Sequence, residues 1–188
     1  MELMQGVEFS HWIISNFLEQ NKVLVDATCG RGKDTLFLSK HLDADGKIYA
    51  FDIQKEAIQI TKDKFASLDK RIEIEFIQDD HQKIAEYVNK KADGIIYNLG
   101  FLPGSDKNIK TEKETTLNSL NEALDVLADK GLIVLVIYSE HPGGQEEKEA
   151  VLDFAANLNY KNYNVLHYNF INQKKNPPEV IVIKKRGE

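Results

Sequence analysis

Asp26 and Asp52 each end a short apolar run, and between them the chain turns through Gly30 and Gly32. Val23-Leu-Val leads to the first acid and Lys47-Ile-Tyr-Ala-Phe to the second, runs of the kind that a strand covered on both faces requires. The two glycines let the backbone approach a ligand closely, while the first amides of the helical stretch from Lys33 to Lys40 stay free to donate. A carboxylate at the first strand tip repels a pyrophosphate and suits a ligand with an ammonium group, such as the methionine part of S-adenosylmethionine. Asp52 follows Gly30 by 22 residues, the spacing at which an acid meets a ribose hydroxyl in dinucleotide sites, and that geometry serves any adenosine cofactor. The nicotinamide fingerprint fails at Thr35, which replaces its third glycine, and the phosphate-binding loop fails at Ala27 and Asp34. Thr28, Asp34 and Thr35 in the turn, Ile53 and Gln54 after the second acid, and Asn98 further on join the set expected to hold the cofactor.

Three later strand ends carry the other candidates. The third ends in Asp79-Asp80-His81. Either acid is open to a ligand or to capping the following helix, and His81 to the cofactor side or to a loop role. The fourth ends in Tyr97-Asn98-Leu99-Gly100-Phe101-Leu102-Pro103-Gly104. An amine attacking a methyl sulfonium needs its lone pair in line with the bond being broken and acceptors for its N–H groups. The Asn98 side-chain oxygen and the Leu99 carbonyl are expected to supply those acceptors, and Phe101 to stack on a flat base. Gly100, Leu102, Pro103 and Gly104 are expected to face the substrate, with a plain turn as the alternative. The fifth strand ends in Tyr138-Ser-Glu-His141, where His141 either relays a proton or holds the turn. Lys107, Lys110, Lys174 and Lys175 are the basic residues flanking this mouth.

The elements that must position these residues alternate along the chain. Helical spacing from Gly6 to Gln20 gives a helix that covers the sheet or the cofactor mouth. Helices then follow at Lys55 to Leu68, Gln82 to Lys90, Glu112 to Asp129 and Gln145 to Leu158. Strands fall at Ile72 to Gln78, Ala92 to Asn98, Gly131 to Tyr138, Tyr163 to Phe170 and Glu179 to Lys185, with Gly131 to Tyr138 the most apolar and expected at the centre. Such alternation implies a doubly wound parallel α/β sheet, and the final strand-to-strand connection without a helix requires an antiparallel partner. At 188 residues the chain suits one domain spanning 1–188. One cysteine, no secretory signal and no long apolar run point to a cytoplasmic protein without a membrane span. The net charge of −6 argues against broad nonspecific nucleic-acid binding, and a local basic face stays open. Cys29 reads as a small packing residue. No metal-ligand spacing is present, and a homodimer stays open.

Asp26-Ala-Thr-Cys-Gly-Arg-Gly-Lys-Asp, Gln78-Asp-Asp-His, Tyr97-Asn-Leu-Gly-Phe-Leu-Pro-Gly, Tyr138-Ser-Glu-His-Pro-Gly-Gly and Asn176-Pro-Pro together resemble the YtqB family, labelled rRNA methylases. That family includes the bacterial enzyme that methylates the aminomethyl group of the tRNA wobble uridine. The resemblance covers nearly the whole chain. It implies a class I methyltransferase fold, a mostly parallel seven-stranded sheet with an antiparallel C-terminal strand. It also implies S-adenosylmethionine as cofactor and the tRNA anticodon stem-loop as partner. Asp26, Gly30, Gly32, Asp52 and Asp79 or Asp80 would then bind the cofactor, the last of these at the adenine amino group, while Asn98 through Gly104 would face the base. That loop has the order of the Asn-Pro-Pro-Tyr motif of amino-group methyltransferases, with Leu99-Gly100 in place of the prolines and Phe101 in place of the tyrosine. Methylation of rRNA or of a small amine, or noncatalytic RNA binding, are the competing readings.

Overall fold

Alternation along the apolar strands sorts their side chains onto two faces. The computed structural model describes residues 2–66, 72–102, 104, 109–173 and 176–187. In β4 (Ala92–Leu99), Ile95, Tyr97 and Leu99 enter one apolar layer and Ile96 the other; β1 (Val23–Asp26) divides Val25 from Leu24 in the same way. The first layer is closed by α5 (Lys113–Val126) through Leu120 and Ala123, and by α6 (Gly144–Ala156) through Val151 and Ala155. The second is closed by α1 (Gly6–Phe17) through Ile13 and Ile14, and by α2 (Lys33–Ser39) through Leu38. On α3 (Lys55–Ala66), Ile58 packs with Ala50 and the buried Cys29, which is a packing residue.

With β2 (Lys47–Phe51), β3 (Glu73–Ile77), β5 (Leu127–Ile137), β6 (Tyr163–Tyr168) and β7 (Glu179–Lys185), the strands form one sheet in the order β3-β2-β1-β4-β5-β7-β6. Only β7 runs against its neighbours. The expected mostly parallel sheet with an antiparallel C-terminal strand is therefore present. The middle strand is β4, and β5 lies beside it, buried from Gly131 to Ile137 because β4 and β7 flank it. Asp26 is level with Ile96, two residues before Asn98, and with Ala50, two before Asp52. The tips of β1, β2 and β4 thus reach the same edge together.

Several expected helices are shorter than their periodicity suggests: α1 ends at Phe17 rather than Gln20 and α6 at Ala156 rather than Leu158, and two others differ more in kind. The helix expected to run to Asp129 ends at Val126: Leu127 is extended, lies opposite Ala92 on β4, and is wholly buried in the first layer. Burial of that leucine in the sheet overrides its helical spacing. Between Gln82 and Lys90 there is a 3-10 turn (His81–Lys83) followed by one turn of helix, α4 (Ile84–Tyr87), capped by Asp80, whose Oδ1 accepts from the Gln82 amide at 2.9 Å. Leu68, the expected end of α3, lies outside the described residues.

Candidate active site

The turn after β1 is built around its acids. Gly30 and Gly32 both take left-handed backbone conformations, φ 49° and 72°, and a Cβ on Gly32 would lie 2.7 Å from Thr61 Cγ2. Only glycine fits there. Asp52 accepts from the Gly30 amide at 2.9 Å and the Gln54 amide at 2.8 Å, and burial raises its pKa. Asp26 lies wholly beneath the surface, where Thr28 N–H donates to Oδ1 and Thr35 Oγ1 donates to Oδ2 at 2.6 Å. Burial first, and the neighbouring Asp34 second, push its pKa up to about 8. Asp26 and the fully buried Thr35 thus shape the turn from below, whereas Ile53 is exposed beside Asp52. The Cys29 thiol, raised by burial and then by Asp26 and Asp52, is held neutral and is no nucleophile.

Asn98 is fixed from two sides. Period two along β4 turns it to the face of α1 and α2, opposite to Tyr97. Its backbone amide donates to Thr28 Oγ1 at 2.7 Å, and its side-chain Nδ2 donates to Asp34 Oδ2 at 3.1 Å. A carboxylate only accepts, so the amide must present its NH2 group to Asp34, which leaves Oδ1 without a protein donor among the described residues. The other oxygen of Asp34 lies 2.8 Å from His11 Nε2, and the His11 ring stacks on Phe37 at 3.8 Å. Helix α1 therefore both covers the sheet and braces the turn.

The loop after β4 is held by a partly buried network. Gly100 N–H donates to Thr111 Oγ1 at 2.9 Å, and Thr111 donates in turn to Glu147 Oε2 at 2.9 Å. Thr116 Oγ1 donates to Glu147 Oε1 at 2.6 Å, and burial raises the pKa of this carboxyl in the first turn of α6. Leu102 comes over the glycine turn, its Cδ1 3.1 Å from a Cβ built on Gly30, while Gly104 adjoins Arg31.

Several expected site residues are placed differently. The Leu99 carbonyl, expected as a second acceptor, instead accepts from Tyr138 N–H at 3.1 Å, and the residue is wholly buried. His141 holds the turn: Nδ1 is 3.2 Å from the Pro142 carbonyl, Nε2 faces Glu147 at 3.9 Å, and Gly144 packs against the ring. His81 is buried edge-on against Tyr97, burial lowers its pKa, and its Nδ1 has no hydrogen-bond partner among the described residues, with Asp80 Oδ1 3.7 Å away. Of the two adjacent acids Asp80 is the cap, and Asp79 accepts from Lys83 and from Tyr87 OH, which hold its pKa low. Phe101 forms an isolated bridge with Lys110, and its ring stands edge-on to His141. Pro103, Lys107, Lys174 and Lys175 lie outside the described residues.

His11, Thr111, Thr116 and Glu147 were not legible as site residues, since each reaches the site from a helix or loop remote in sequence. Among the described residues, no group of three or more His, Cys, Asp or Glu could hold a metal, and no helix is long and apolar enough to cross a membrane.

Residues 48–184 match the family model described as "Putative rRNA methylase". Over 97% of its length the chain is 34% identical to a tRNA (mnm5s2U34)-methyltransferase, chloroplastic, of Arabidopsis thaliana, covering 70% of that protein. A crystal structure described as a "putative rRNA-methylase" from Clostridium thermocellum superposes with a TM-score of 0.94 at 36% identity, over 98% of this chain and 100% of that one. A "putative methyltransferase" from Streptococcus mutans, in complex with SAH, gives 0.88 at 36% identity over 98% and 99%.

Proposed function

This chain belongs to the "Putative rRNA methylase" family, and we propose that it is an S-adenosylmethionine-dependent N-methyltransferase acting on the 5-aminomethyl group of the tRNA wobble uridine. The observation that carries this reading is the fixed Asn98 amide, which keeps its NH2 on Asp34 and turns its oxygen away as an acceptor for an amine N–H.

The turn fits the cofactor. Gly30 and Gly32 form a cradle that side chains would fill, and Asp52 offers a half-buried carboxylate beside the exposed Ile53. When bound, S-adenosylmethionine supplies a methyl group already activated on a sulfonium, which passes to the amine lone pair as the C–S electron pair returns to sulfur. The protein's own part is positioning. Asn98 Oδ1 accepts an N–H of the neutral amine and so aims its lone pair, Asp34 and His11 fix the Asn98 rotamer, and the Thr111–Glu147 network holds Gly100 and the loop.

In this reading Lys107, Lys110, Lys174 and Lys175 contact the anticodon stem-loop in the cytoplasm, and Asp79 or Asp80 meets the adenine amino group. The Arabidopsis thaliana relative supports a tRNA substrate, whereas the family description favours rRNA as the second reading. Purified protein, labelled cofactor and tRNA carrying 5-aminomethyluridine decide between them. The expected product is 5-methylaminomethyluridine, with the unmethylated nucleoside accumulating in tRNA of a deletion strain. Transfer only to rRNA or to a small amine would move the substrate and keep the chemistry, and no transfer to any acceptor would leave a noncatalytic RNA-binding module.

A further inference from the structure

Beyond the edge of the sheet that carries Asn98 lies a cleft of about 290 Å³, walled by Tyr138, Ser139 and Glu140 on one side and by Gln173, Asn176 and the Pro177-Pro178 pair on the other. We propose that this cleft seats the pyrimidine ring of the substrate, an inference that rests on the methyl-transfer reading above.

Its place follows from the sheet. Ile137 ends β5 opposite Glu179, which begins β7, so the two walls leave paired strands side by side at the edge where the other strand tips gather. Tyr138 joins the cleft to the reacting site. Its amide donates to the Leu99 carbonyl, and its Cβ would be 3.4 Å from a Cβ on Gly100. The ring remains 38% exposed. The volume sits at the lower end of the range for small-molecule sites, room for one base rather than a whole nucleotide.

The lining chemistry selects a uracil-like ring. Tyr138 offers a flat face for stacking, which any base accepts. The Gln173 and Asn176 carboxamides each pair an acceptor with a donor, matching the N3–H and O4 edge of uracil, and neither side chain has a protein partner among the described residues. The prolines make a stiff opposite wall, and a Cβ on Gly6 would lie 3.0 Å from the Pro178 carbonyl, so the first turn of α1 backs that wall closely. Glu140 adds a carboxylate without a basic partner among the described residues. That charge disfavours a phosphate and favours a base whose aminomethyl arm arrives as an ammonium, which releases its proton to solvent before the neutral amine reaches Asn98.

The test combines kinetics with direct binding. Tyr138→Ala and Asn176→Ala should each lower kcat/KM for tRNA at least tenfold and leave SAH affinity unchanged, with Tyr138→Phe close to wild type. NMR titration of the SAH-bound wild-type protein with 5-aminomethyluridine should shift the Asn176 side-chain amide more than uridine does, and Glu140→Gln should erase that preference. Variants that fold, bind SAH and retain wild-type kcat/KM, together with a wild-type protein whose Asn176 amide does not shift with either nucleoside, would overturn the proposal. If wild-type protein transfers no methyl to tRNA but the nucleoside still shifts Asn176, the base pocket stands and the substrate assignment falls; if tRNA is methylated and neither Tyr138→Ala nor Asn176→Ala affects it, the methyl-transfer reading stands and the pocket falls.

Discussion

Asp34 Oδ2 accepts from Asn98 Nδ2 at 3.1 Å, and this single contact decides which way the Asn98 amide faces. The pair joins the glycine turn to the tip of β4, 64 residues apart in sequence. If the contact aims the nucleophile, Asn98→Ala should lower single-turnover methyl transfer at least about tenfold, on the order of 1.4 kcal/mol, with little change in cofactor affinity. His11→Ala should give a smaller loss of the same kind, since Asp34 keeps Asn98 but loses its own brace. Rapid-quench measurement at saturating cofactor checks both, and full turnover in Asn98→Ala would reduce the loop to a plain turn.

Asp52 should separate binding from chemistry. Its replacement by alanine removes the partner of the Gly30 and Gln54 amides and, in the proposed cofactor site, the acceptor for the ribose hydroxyls. Cofactor affinity should fall by roughly 1.5 to 3 kcal/mol, the range for hydrogen bonds to charged groups. Asp52→Asn, which can still accept one of those amides, should lose less. Calorimetry with the folded variants decides, and unchanged affinity in Asp52→Ala would place the ribose elsewhere.

Glu147 has no exposure and two hydroxyl donors. Glu147→Ala leaves the buried Thr116 hydroxyl without its acceptor, a cost of about 1–3 kcal/mol for a buried group without a partner, and frees the partly buried Thr111 hydroxyl, which keeps only the Gly100 amide. Thermal unfolding should show a clear loss of stability, and methyl transfer should fall as Gly100 loses its fixed partner. Glu147→Gln retains one acceptor and should recover most of the stability. An Ala variant as stable as wild type would show that the threonines find other partners.

These residues also mark how far the sequence is legible. Asp26, Gly30, Gly32 and Asp52 were readable because their spacing is local: two apolar runs, two acids and two glycines define a strand, a turn and the next strand tip. Asn98 was readable because it ends an apolar run. Its partner was not, since nothing near Asp34 says that a residue 64 positions on will reach it. His11, Thr111 and Glu147 are polar residues on amphipathic or loop segments, indistinguishable by periodicity from solvated ones, and only the packing of α1 and α6 onto opposite faces of the sheet brings them in. The end of α5 failed for a related reason: Leu127 keeps the helical period and yet is buried in β5. Long-range burial decides such positions, and periodicity reports only local preference.

Asp26 makes a signed prediction about pH. Its folded pKa, about 8, stands above the ordinary 3.8 because burial disfavours the charge and Asp34 adds repulsion. Between those values the folded protein holds a proton that the unfolded chain has lost, so stability falls as pH rises through that window and levels off above about pH 8. Asp52 and Glu147, also raised by burial, act in the same direction. One such group contributes a slope of at most about 1.4 kcal/mol per pH unit. Asp26→Asn keeps an acceptor for the Thr28 amide and presents an NH2 to Thr35 Oγ1, which can accept in its turn. Denaturant unfolding of wild type and Asp26→Asn from pH 5 to pH 9 should therefore show a steeper decline in the wild type, and parallel profiles would mean that Asp26 stays ionised in the fold.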